Sequence, residues 1–153
     1  MKKAKKILIA IIGAILLLAS FSACTVRNRS YATNLGATKK INETDSLRII
    51  SAECDENGIT VKAEVDLNTL KLGDFEGIHL TKSDPYFGEI ECNRDETKRL
   101  NGDDIFDKNL NGEVRLYFSY EGLDPSEELS RFLICFSIVD DGGISSTYKF
   151  LLG

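Results

Sequence analysis

The stretch with the most regular spacing of potential ligands is Asp107-Lys108-Asn109-Leu110-Asn111-Gly112-Glu113-Val114. Oxygen-bearing side chains at positions 1, 3 and 5, glycine at 6 and an apolar residue at 8 match the first half of a calcium-binding loop. Asp107, Asn109 and Asn111 are therefore candidate Ca2+ ligands. Position 12 should bring a bidentate glutamate and is Phe118, so Asp103 or Asp104 would have to supply the missing carboxylate. A cation held this way would be bound weakly, with Kd on the order of 10⁻⁴–10⁻³ M. The competing assignment makes Asn111-Gly112 a turn into a strand, with Asp and Asn present for their turn propensity.

The other chemistry-bearing types are sparser. His79 is the single histidine of the chain, on the outward parity of a short strand between Ile78 and Leu80, which reads as a surface position. A histidine base needs a nucleophile on one side and an orienting group on the other. Glu89 and Glu91 share one face of a strand, and two carboxyls so placed fall within the ~5–9.5 Å of a glycosidase pair. With 22 acids among residues 46–153, such pairs are expected by coincidence. The sequence has no G-x-S-x-G, phosphate loop or H-E-x-x-H, and its pattern points to a non-enzymatic binding or interaction module.

The N-terminus specifies a destination. Lys2, Lys3, Lys5 and Lys6 precede the uncharged apolar and small run Ile7–Ala19, and Ser20-Phe21-Ser22-Ala23-Cys24 closes the segment with small residues. Basic, apolar, then small is the order of a secretory signal peptide. The ending Phe21-Ser22-Ala23-Cys24 resembles the lipobox of bacterial lipoproteins, with Phe21 where that family usually has leucine. The resemblance implies a signal peptide over 1–23, diacylglycerol on Cys24, and anchoring to the extracytoplasmic face of the cell membrane. Two acyl chains meet the requirement for stable anchoring that one chain does not. Two alternatives also export the rest of the chain: cleavage after Ser22 to a soluble product, and retention of Ile7–Cys24 as a short membrane anchor.

Charge is unevenly spread over the rest of the chain. Without residues 1–23 the chain carries 15 basic and 24 acidic residues; residues 46–153 carry 11 and 22 of them. A net charge of −11 there argues against nucleic acid, because phosphate neutralisation needs clustered Lys and Arg. The basic residues Arg27, Arg29, Lys39 and Lys40 lie near Cys24, where each can gain ~1 kcal/mol against anionic headgroups. Residues 24–45 are rich in Ser, Thr, Asn and Ala without apolar periodicity and read as the lipidated cysteine followed by a flexible linker.

From Ser46 onward the apolar pattern has period two. Ile59, Val61, Ala63, Val65 and Leu67 alternate with polar residues; before them, Leu47–Cys54 reads as a strand with Ile50, Ala52 and Cys54 on one face. Asn57-Gly58 between the two is a strong hairpin signal. Shorter strands are expected at 77–81 and 87–92, a polar connection with a helical turn near 103–107 inside 93–111, and another alternating strand from Val114 to Tyr120. A short helical turn is expected at 124–128. Residues 131–139 are apolar on both parities, the mark of a central strand buried on both faces, and 144–152 form the last strand. About seven strands with frequent turns and no long helix predict an all-β fold: an antiparallel immunoglobulin-like β-sandwich over 46–153. The Cys…Trp…Cys hallmark is absent, since the chain has no tryptophan.

With Cys24 lipidated, Cys54, Cys92 and Cys135 remain, an odd number in an oxidising location. Cys54 and Cys92 fall at strand ends on inward parity and are the expected disulfide, with a fully reduced set as the open alternative. Cys135 sits mid-strand as a small buried hydrophobe. The sum is an envelope-anchored binding module for an unidentified protein or envelope ligand. The alternatives are a calcium-stabilised structural or adhesive domain and, third, a small hydrolase.

Overall fold

The computed structural model describes residues 32–82, 84, 86–120 and 129–153. The expected signal peptide, the lipidation site Cys24 and the helical turn at 124–128 lie outside the described residues. The fold grows from its most regular strand. In β3 (Gly58–Leu67), Ile59, Val61, Ala63, Val65 and Leu67 are at most 1% exposed, while Thr60, Lys62, Glu64 and Asp66 stand toward solvent. This is the alternation that a pleated strand with one buried face demands.

β2 (Ser46–Cys54) pairs with β3 through a tight hairpin. Asp55 Oδ1 accepts from the backbone of Asn57 and Gly58, at 2.8 and 3.0 Å. Gly58 is not in the left-handed region that the Asn-Gly signal implies. Its glycine answers a close approach instead: a Cβ there would lie 2.2 Å from the Phe118 carbonyl oxygen. A second difference is a register shift in β2 between Ile49 and Ser51. It inserts Ile50 as an extra residue, so Leu47 and Ile49, not Ile50, join Ala52 and Cys54 on the inner side.

β6 (Leu110–Ser119) lies on the other side of β3. Its register sets Phe118 opposite Ile59, Leu116 opposite Val61 and Val114 opposite Ala63. β1 (Thr38–Lys40) completes the sheet in the order β1-β2-β3-β6. The second sheet has the order β5-β4-β7-β8, from β4 (Gly77–Lys82), β5 (Ile90–Glu91), β7 (Phe132–Val139) and β8 (Ser145–Leu151). All strand pairings are antiparallel, and residues of both sheets share one core, which makes the fold an all-β sandwich. Phe132 through Phe136 in β7 are buried on both faces, as a central strand requires. Phe136 packs edge-on against Phe75 and Phe150, with ring centroids 5.6 and 5.8 Å apart.

Three segments differ from expectation. Residues 32–45 are not all linker: β1 pairs with β2, and Thr33 bonds both Lys149 O and Leu151 N along the outer edge of β8. The reason lies in side-chain hydrogen bonding, which apolar periodicity does not register. Asp45 is 1% exposed and ties the Ile41–Asp45 turn to Asn68 and Thr69. The strand expected over 87–92 shortens to Ile90–Glu91, because Phe87 folds onto the rings of Phe132 and Tyr120, 5.6 and 5.8 Å away.

The helix lies earlier than expected. α1 (Arg94–Asn101) is capped by Asn93, whose side chain accepts from Glu96 N, and ends at Gly102 with φ +69°. Its one fully buried residue is Thr97, so it has no apolar stripe. Polar side chains hold it to the free edge of β6. Asn101 accepts from Arg115 N at 3.0 Å and donates to Arg115 O at 2.7 Å, as a neighbouring strand would. Thr97 Oγ1 accepts from Tyr117 N at 2.9 Å.

Candidate functional site

The residues with chemical potential meet on the outer face of the second sheet. Ile78 and Leu80 of β4 face the core, so His79 between them points to the opposite side. Register sets Glu91 of β5 directly across from His79, and Glu89, two residues earlier, on the same parity. The carboxylates and imidazole converge: one ligand atom from each of His79, Glu89 and Glu91 lies within 4.8 Å of the others. His79 Nε2 is 3.3 Å from Glu89 Oε1.

Gly77 makes room for the group. A Cβ there would sit 3.5 Å from His79 Nδ1 and 3.9 Å from Glu91 Oε1, so these two atoms flank one small gap above the β4 backbone. Among the described residues no hydrogen bond engages Nδ1. His79 is only 9% exposed, against the surface position expected of it. The parity of Glu89 and Glu91 is legible in the sequence. What sequence reasoning lacks is the pairing of β4 with β5, which turns two separate patterns into one constellation. The available signal is Gly77-x-His79 and Glu89-x-Glu91 on matching parity either side of a turn.

The other neighbour of His79 is Cys135 of β7, and Lys149 of β8 lies beyond it, so Glu91, His79, Cys135 and Lys149 form a row across the sheet. Burial pushes the Cys135 thiol up to about 11, with Lys149 opposing the rise and Glu89 adding to it. A thiol so placed stays protonated at neutral pH and is a poor nucleophile. Beside the row, Gly77, Glu91, Cys92, Arg94 and Phe106 line a shallow pocket, with the Arg94 guanidinium 4.6 Å from the Phe106 ring centre.

The calcium candidates are placed differently. Asn111 lies inside β6, paired with Asp66, and its amide donates to Asp66 Oδ1 at 3.0 Å. The Asn109 amide donates to Asn68 O and Leu70 O, both at 3.0 Å. Asp107 is exposed, and Asp103 pairs with Lys108. The backbone enters a strand at position 4, where a calcium loop would still be curling round its ion, and Asn109 and Asn111 clip that strand entry to Asn68, Leu70 and Asp66.

The expected Cys54–Cys92 disulfide is not formed. Cys54 Sγ donates to Asp55 O at 3.6 Å, and Cys92 Sγ contacts Thr97 Oγ1 at 3.4 Å under α1. The strand carrying Cys54 belongs to one sheet, while Cys92 comes just after the edge strand of the other. Burial raises the Cys92 thiol, and the Thr97 hydroxyl partly offsets that rise. Among the described residues no helix is long and apolar enough to cross a membrane. No protein-family model, curated protein or solved structure matches the chain.

Proposed function

We propose that this chain is a lipid-anchored extracytoplasmic protein of a bacterial envelope, whose acidic β-sandwich is a binding module and not an enzyme. The observation that carries the reading is the order of its parts. A basic head, an apolar run and Phe21-Ser22-Ala23-Cys24 stand directly ahead of a domain whose first described residue is Ala32. Arg27, Arg29, Lys39 and Lys40 lie on its membrane-proximal sequence, and the bulk of the acidic charge lies beyond.

The binding role is supported by the site. Its one histidine is flanked by carboxylates, and the thiol opposite is held protonated by burial, an arrangement suited to capture more than to nucleophilic attack. The test is metabolic labelling with a clickable fatty acid in a bacterial host, then fractionation. The wild-type chain is expected to take up label and sediment with membranes, and Cys24→Ala to lose the label. Label retained by Cys24→Ala would refute the anchor.

A further inference from the structure

The geometry points to a divalent metal site at His79, Glu89 and Glu91, suited to a borderline transition ion of the Zn2+ class. One imidazole nitrogen and two carboxylate oxygens are a three-ligand set that leaves a fourth position open, and the two carboxylates balance the charge of the ion. The imidazole separates this set from the all-oxygen cages of Ca2+ and Mg2+. In a tetrahedral site with bonds of about 2.0–2.1 Å the ligand atoms stand about 3.3 Å apart. His79 Nε2 and Glu89 Oε1 already have that separation, at 3.3 Å. One ligand atom each from His79, Glu89 and Glu91 lies within 4.8 Å of the others, and Glu91 is exposed, so its side chain is free to close the remaining distance.

Two further features favour a ligand here. His79 is nine-tenths buried, yet no hydrogen bond among the described residues engages its Nδ1, and that nitrogen is not sealed off, so it stays within reach of a ligand. Gly77 adds no bulk beside that ring, where a Cβ would lie in ordinary contact with Nδ1 and Glu91 Oε1, at 3.5 and 3.9 Å. Glu89, by contrast, is 62% exposed, which gives an ion a way in. Cys135 stands across from His79 on the other side, and its thiol is not part of the converging set.

The experiment uses the full chain, purified in detergent without a polyhistidine tag, and titrated with ZnCl2. Because the chain has one histidine, its imidazole ring signals in a proton–nitrogen NMR spectrum report on this site alone. One equivalent of Zn2+ is expected to shift those signals, and titration calorimetry to give one ion per chain. Glu89→Gln and Glu91→Gln, both at exposed positions that do not endanger folding, are each expected to weaken binding at least tenfold, with Glu43→Gln unchanged. Co2+ in place of Zn2+ should give no thiolate charge-transfer band. Ring signals unmoved by Zn2+, a thiolate band assigning the ion to cysteine, or undiminished affinity in the Glu89→Gln/Glu91→Gln double variant would each overturn the site. The inference is independent of the anchor: Cys24→Ala leaves it untouched, and its failure leaves the anchor standing.

Discussion

Asp45 is the residue whose removal should tell most about how the domain is closed. Its carboxylate is 1% exposed and accepts from the Thr69 hydroxyl, Thr69 N, Asn68 N and, at 2.6 Å, the Asn42 amide. Burial alone would raise its pKa, but the four donors outweigh that effect and lower it from 3.8 to about 2. At ~1.36 kcal/mol for each tenfold change in proton affinity, the ionised form contributes at most about 2 kcal/mol at neutral pH. Asn42 and Thr69 are themselves exposed, so solvent screens part of this, and the expectation is about 1–2 kcal/mol. The sign comes from the lowered pKa. The stabilisation is complete above pH ~4, where the unfolded carboxylate is ionised, and fades as pH falls toward 2. Urea unfolding of wild type and Asp45→Asn at pH 7, 4 and 2.5 tests this. The variant should be less stable by at least ~1 kcal/mol at pH 7, and the gap should narrow at pH 2.5. Equal stabilities at pH 7, or a gap that ignores pH, would refute the account.

Gly58→Ala is expected to cost about 1–3 kcal/mol, because its Cβ would meet the Phe118 carbonyl and β3 must move from β6. Thermal melting reads this, and an unchanged midpoint would show that the strands part without strain. Asn101→Ala removes both bonds to Arg115 and should cost about 2 kcal/mol, with faster hydrogen exchange at the Arg115 amide as the local signature. Protection retained at that amide would mean that α1 shields β6 by bulk alone.

Legibility in the sequence tracks burial pattern. β3 and the alternating part of β6 are plain because one face is wholly apolar, and β7 because both faces are. β2 is visible but its early faces are misassigned, since a register shift at Ile50 leaves no mark on composition. The helix escapes notice because Arg94–Asn101 buries Thr97 and no apolar stripe; Asn93, the acids of its first turn and Gly102 are the signals that matter. Residues 32–45 look like linker because hydrogen bonds hold them, Asp45 above all. At the site, the glutamates and histidine are each visible, but their union depends on two strands being neighbours, which no local spacing encodes. For the calcium spacing the converse holds: the ligand types recur at the right intervals, but their side chains hydrogen-bond Asp66, Asn68 and Leu70, and the backbone runs on as a strand from Leu110.

The way the sheet margins are finished has a consequence for crowding. An uncovered β-edge is a template on which another copy can polymerise. Here α1 occupies the margin of β6, Thr33 lies along β8, and β1 is three residues long and ends in Lys39 and Lys40. β5 at the remaining margin is two residues long. Such margins offer another copy no long free template, so stripping α1 of its amide contacts should bare the edge of β6 and increase self-association when the domain is concentrated.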